Sequence, residues 1–214
     1  GVSALQVSQL GLATTSHNIA NANTEGYNRQ RIIQASNIAT LTGAGYVGQG
    51  AHVSTIERIY SSYLTTQVNT AQNSVSKLEA YSSSISQLND LLMDADAGLS
   101  SALEAFFSGV QQVSANPTSL TTRQTMVSGA ETLVSRFHSL DALVDAQYQG
   151  INSQIQGYVG SINSYAQEIA TLNKQIIVAE SSNNQTPNDL YDQRDQLVSE
   201  LNKLVGVKTT TNTN

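Results

Sequence analysis

From Val144 to Ile176 apolar side chains recur at alternating steps of four and three: Val144, Tyr148, Ile151, Ile155, Tyr158, Ile162, Tyr165, Ile169, Leu172 and Ile176, with Phe137 and Val134 continuing the series backwards. Positions so spaced share one face only on an α-helix, and a seam sustained over several heptads makes that helix a spacer or a member of a bundle. From Leu120 to Ile176 it would run ~85 Å at ~1.5 Å per residue. Gly150, Gly157 and Gly160 lie inside it. Each costs up to ~1 kcal/mol of helix propensity, so tertiary contacts must supply the stability, and the glycines could permit close helix approach.

The same spacing predicts other helices. Leu64, Ala71, Leu78, Ile85 and Leu92 stand seven apart between Tyr60 and Met93, flanked by Val68, Val75, Tyr81 and Leu88. Asp94-Ala95-Asp96-Ala97-Gly98 breaks that helix, and a shorter amphipathic one carries Leu99, Leu103, Phe106, Phe107, Val110 and Val113 up to Asn116-Pro117. After a polar loop at 181–186, Pro187 suits the first turn of a final helix with Leu190, Arg194, Leu197, Leu201 and Leu204 on one seam, and Gly206 is a natural stop. The expected fold is mainly α: an elongated, coiled-coil-like antiparallel helical bundle. Its core would include Leu64, Leu78, Ile85, Val144, Ile151, Ile155, Tyr158, Ile162, Ile169, Leu197 and Leu201.

The N-terminal part differs. Val2, Leu5, Leu12 and Ile19 line a narrow helical seam without a charged residue before Glu25, and the helix gives out in Asn21-Ala22-Asn23-Thr24-Glu25-Gly26, where Gly26 can take a positive φ. Tyr27–Ala35 and Gly50–Tyr60 then alternate as extended segments around the Gly-rich stretch 43–50, a loose hairpin. Gly43, Gly45 and Gly48 fit G-x-G-x-x-G. A dinucleotide site would need a helix opening from that loop, and an extended segment follows instead.

Composition narrows the function. A net charge of -6 with ten scattered basic residues argues against nucleic acid, whose phosphates draw most affinity from Lys and Arg. Charged residues make up 12%, about half the usual ~25%, which leaves surfaces suited to close contact with similar chains. No cysteine is present, so disulfides, thiolate zinc sites and thiol nucleophiles are excluded. His17, His52 and His138 lie in three different predicted elements without ligand spacing, and Asp94-x-Asp96 lacks the rest of a calcium loop. Asp189, Asp192 and Asp195 suit a helix N-terminus, and Arg194 could pair with an acid on an adjacent helix. No catalytic centre, metal, cofactor or membrane span is expected.

The string Asn21-Ala22-Asn23-Thr24-Glu25-Gly26-Tyr27 after a terminal helix resembles the signature of the bacterial flagellar axial proteins, the rod, hook and hook-associated families. Gly26-Tyr27-Asn28-Arg29-Gln30, the segment Gly48-Gln49-Gly50-Ala51-His52-Val53 and Pro187–Leu197 resemble the hook-associated protein 1 family in particular. Glu25 stands where many relatives have Pro, and Tyr191 where Leu is commoner. The resemblance implies a secreted, self-assembling structural protein at the hook-filament junction, outside the cell. It would leave by type III export with transient contact to the export apparatus and a chaperone. Its partners would be copies of itself, the hook protein below and a further junction or filament-type protein above, with neither nucleic acid nor membrane.

On that reading Leu5, Leu12 and Ile19 form an assembly seam, Asn21, Asn23, Gly26 and Tyr27 the turn out of it, and Arg29 and Arg31 polar contacts with neighbours. Residues 1–26 would be an axial helix, 27–59 an extended or β-hairpin linker, 60–206 the helical bundle and 207–214 the start of a truncated outer β domain. A soluble helical signalling or scaffolding module is the alternative. It leaves the Asn-rich string and the Gly-rich interruption without a reason.

Overall fold

The computed structural model describes residues 1–93, 99–183 and 185–210. Among them stand five helices and four strands: α1 (Val2–Ala20), β1 (Gln30–Ser36), β2 (Thr40–Thr42), β3 (Gly45–Val47), β4 (Ala51–Arg58), α2 (Ser62–Met93), α3 (Leu99–Ala115), α4 (Leu120–Asn183) and α5 (Asn188–Leu204). The chain is mainly α, as its periodicity predicts. The expected break at 94–98 lies outside the described residues.

Two compact units divide the chain. One comprises 1–75 with 160–214, and the other 76–159, so α2 and α4 each contribute to both.

In the first unit β1 and β4 pair antiparallel, from Gln30 opposite Arg58 to Ser36 opposite Ala51, with a register shift after Ile33. The Gly-rich stretch is a second, short antiparallel pair, β2 with β3, and Thr42 Oγ1 donates to the Gly45 carbonyl across its turn at 2.8 Å. A strand thus follows this turn, not the helix a dinucleotide loop requires.

α1 lies on the β1–β4 ribbon through a small-residue face. Val7 and Thr14 are buried, and Gly11 lies so close to Ile32 that a Cβ there would meet its Cδ1 at 3.4 Å. Small side chains at these positions let the helix backbone approach the strands. The larger residues Leu5, Leu12 and Ile19 turn away, 64%, 69% and 72% exposed.

α5 turns back antiparallel to the end of α4, where the Tyr191 hydroxyl donates to Glu180 at 2.7 Å. It runs parallel to the start of α2, because its bonds advance along both helices together. Ser199 Oγ donates to Asn69 Oδ1 at 3.2 Å, Asn202 Nδ2 to the Asn69 carbonyl at 2.6 Å, and Asn73 Nδ2 to the Asn202 carbonyl at 2.8 Å. The C-terminal stop is Val205, whose extended φ of -145° ends the helix, and Gly206 is not needed in a left-handed conformation.

In the second unit α3 and the start of α4 form an antiparallel helical hairpin. Its close approach depends on one glycine from each side: a Cβ at Gly109 would meet Met126 Cα at 3.0 Å, and one at Gly129 would meet Phe106 Cα at 3.3 Å. The glycines singled out from the sequence behave differently. A Cβ at Gly150 or Gly160 would meet nothing within 4 Å, so neither mediates a close contact within the chain.

The expected core is only partly covered. Leu64, Leu78, Ile85, Val144, Ile151, Ile155 and Tyr158 are exposed, whereas Ile162, Ile169, Leu197 and Leu201 are half-buried and Ile176 is 4% exposed. The reason is geometric. A heptad seam is buried only along the length that a facing helix covers, and α5, with 17 residues, faces only the last part of the 64-residue α4.

Candidate functional site

The first unit is held together by a polar joint rather than an apolar core. Asn18, on the last turn of α1, treats Gln30 as a neighbouring strand would. Its Oδ1 accepts from the Gln30 N–H at 2.8 Å, and its Nδ2 donates to the Gln30 carbonyl at 2.8 Å. The Tyr27 hydroxyl donates to the same Oδ1 at 2.7 Å, and its ring meets His17 edge-on with centroids 5.4 Å apart. Helix end, turn and first strand are thereby locked to one another.

α5 completes the joint. Arg58 Nη1 lies 2.9 Å from Asp192 Oδ1 and 2.8 Å from Asp195 Oδ2, and all three side chains are largely buried. Asp192 also accepts from the Asn28 backbone N–H and from Asn28 Nδ2, each at 2.8 Å. Asn188 Nδ2 donates to the Ile56 carbonyl at 2.8 Å, while Gln30 Nε2 donates to Asp189 Oδ1 at 2.6 Å. The Arg58 guanidinium lies over the Tyr60 ring at 4.1 Å and near that of Tyr191 at 5.0 Å.

Burial pulls against the charge on Arg58, but the hydrogen bonds and negative charges of Asp192 and Asp195 outweigh it and hold the pKa above its ordinary value. Burial, with Asp189 and Asp192 nearby, raises the Tyr27 pKa as well. The hydrogen bond to Glu180, with burial, does the same for Tyr191.

These contacts revise two expectations. Asp192 and Asp195 reach across to Arg58 instead of capping their own helix. Arg194 pairs with its sequence neighbour Asp195 at 2.8 Å, not with an acid on an adjacent helix.

The candidate assembly residues divide between inside and outside. Asn21 stays within the chain: its Nδ2 donates to the His17 carbonyl at 3.0 Å and its Oδ1 accepts from Thr24. Gly26 has φ +79°, and a Cβ would meet the Cβ of Gln196 at 2.8 Å, so the turn needs glycine for both conformation and space. Tyr27 belongs to the joint. Leu5, Leu12, Ile19, Asn23, Arg29 and Arg31 face outward, and Arg31 pairs with Glu57 across the ribbon at 3.1 Å.

Sequence reasoning missed Asn18, Gln30, Arg58 and Asn188. The one signal that could have flagged them was a polar residue on the inward face of a helix or strand. Among the described residues no group of three or more His, Cys, Asp or Glu is placed to hold a metal, and no helix is long and apolar enough to cross a membrane.

Two surfaces flank the end of α1. On one side a groove of about 780 Å³ is lined by His17, Asn21, Glu25, Glu168, Asp189 and Leu197 among others. On the other a recess of about 450 Å³ is lined by Thr15, Ile19, Ala22, Arg29, Arg31 and Ile59 among others.

Comparison with known proteins places the chain. Residues 85–214 match the family described as the flagellar hook-associated protein FlgK helical domain, and residues 1–28 match the flagella basal body rod protein family. Among curated proteins, flagellar hook-associated protein 1 of Salmonella typhimurium is 40% identical over 97% of this chain, and that of Escherichia coli 37% over the same share. The Bacillus subtilis protein of that name is 30% identical over 98%. The chain spans about two-fifths of these relatives, 38% of the first two and 43% of the third. Because the FlgK helical domain family matches more than half of this chain, the chain belongs to the flagellar hook-associated protein FlgK family.

Proposed function

We propose that the chain is a structural, non-enzymatic part of the bacterial flagellum that self-assembles as a junction between hook and filament. Its neighbours are copies of itself, the hook protein below and a further junction or filament-type protein above. It reaches the cell exterior by type III export after transient contact with the export apparatus and a chaperone. Residues 1–26 serve as the axial helix, 27–59 as the extended, β-hairpin segment on which it is seated, and 60–206 as the helical domain.

The observation that carries this reading is the outward seam Leu5, Leu12, Ile19 on a helix that is already seated on the β1–β4 ribbon through its other face. Large apolar side chains aligned along the solvent side of one helix offer a surface for a partner. Exposed seam residues of α2 and α4 offer further surface of the same kind. Leu12→Asp and Ile19→Asp should each leave the chain's melting transition within about 0.5 kcal/mol of wild type, because the side chains touch little within the chain. Both variants should fail to join isolated hooks in electron micrographs. Hook binding at wild-type level by the double variant would defeat the assignment of this seam.

A further inference from the structure

The recess and the groove lie on nearly opposite faces of the end of α1. Within α1, at 100° per residue, Thr15 and Ile19 of the recess each stand about 160° from His17 of the groove. Their charges are opposite too. Glu25, Glu168 and Asp189 line the groove without a Lys or Arg; Asp189 Oδ1 meets His17 Nε2 at 3.3 Å and accepts from Gln30 Nε2, and Arg58 already neutralises Asp192 at its base. Lys203 is bonded to Glu200 at 2.7 Å. Arg29 and Arg31 line the recess without an acid. The Glu57 partner of Arg31 is an exposed pairing and readily exchanged. Each surface also offers apolar area, Ile19 and Ile59 in the recess and the half-buried Leu172 and Leu197 in the groove.

We infer that two copies of the chain meet head to tail here, the Arg29–Arg31 recess of one seated on the Glu25–Glu168–Asp189 groove of the next. The inference rests on the reading that the chain assembles with copies of itself, and it names the faces. Like-with-like contacts are disfavoured: recess on recess opposes arginines, and groove on groove opposes carboxylates. A contact between two different patches on opposite faces leaves one of each open at the ends, so it propagates until a ring closes or a filament forms, whereas a two-fold dimer would stop at two.

Absence of native cysteine makes thiol trapping clean. Ala22→Cys marks the recess and Gln193→Cys the groove, both at exposed positions. Mixed under mild oxidation, the two single variants should give at least tenfold more mixed dimer than either homodimer, and the chain carrying both cysteines should give a ladder. Adding Arg29→Glu and Arg31→Glu to the Ala22→Cys chain should cut mixed cross-linking at least tenfold. Adding Glu25→Lys and Glu168→Lys to its partner should restore it, which separates lost attraction from lost folding. Homodimers matching mixed dimers, no cross-linking, or indifference to charge reversal would each overturn the contact. Hook joining by unmodified chain, scored in parallel, separates the two ideas. Hook joining without mixed cross-links sinks this contact and leaves the flagellar reading intact, and the reverse result sinks the reading alone.

Discussion

Asn18 does the work of a strand edge with a side chain. It satisfies both backbone groups of Gln30, a residue nine-tenths buried, and receives the Tyr27 hydroxyl besides. Asn18→Ala would leave those groups without partners, at about 1–3 kcal/mol for each buried group unpaired. The midpoint of urea denaturation should fall, and amide exchange at Gln30 should quicken before exchange in the rest of β1. Tyr27 offers a pH-dependent counterpart. Its pKa is raised above the ordinary 10, chiefly by burial, so the folded chain favours the protonated phenol. That contribution is fully present below pH ~10 and is lost as pH rises through the raised folded value, because the unfolded chain then releases the proton more readily. Melting temperature should fall above pH ~10, and less steeply in Tyr27→Phe.

At the scale of elements, the glycines of α4 have two different uses. Gly129 allows the backbone of α3 to approach, whereas a methyl group at Gly150 or Gly160 would meet open space. Gly150→Ala and Gly160→Ala should therefore each raise stability by up to ~1 kcal/mol in thermal melts, whereas Gly129→Ala should lower it. Helices were the legible part of this sequence, since a four-three spacing held over ten positions admits no other regular structure. Gly26 was legible as a stop for an equally local reason, the conformational demand of the turn. The seat of α1 was not. Its seated face carries a single buried hydrophobic, Val7, beside small and polar residues, and hydrophobic patterning points instead to Leu5, Leu12 and Ile19, which face outward. Nor could the joint be read, because Arg58 and Asp192 lie 134 residues apart and each looks like an ordinary surface charge in its own segment. The covered length of a seam is hidden for a similar reason: periodicity shows which side of a helix is sticky but not what lies against it.

Across the molecule, buried apolar residues are few. Among the described residues only Val7, Ala102 and Ile176 are buried hydrophobics, and each keeps a few per cent of its surface exposed, so the first unit depends on polar contacts between distant segments. Arg58→Met would remove the cation shared by two largely buried carboxylates, leaving Asp192 with the Asn28 donors and Asp195 with Arg194. Breaking a buried pair by removing one partner costs about 3–5 kcal/mol, a loss visible in equilibrium unfolding. Where that loss falls in time is a further consequence of the same joint. Each of the helices can form from contacts close in sequence, but bringing α5 to Asn69 of α2 and to Arg58 and Asn28 of the ribbon spans 133, 134 and 164 residues, and such closures come late because their entropy must be lost before the contacts repay it. The joint should therefore act as a clasp on a chain already largely folded. Arg58→Met should speed unfolding in stopped-flow experiments while leaving the folding rate nearly unchanged, and a proportionate drop in the folding rate would place the clasp in the nucleus instead. How long an individual molecule keeps α5 closed on the ribbon would then be set by how often one arginine lets go.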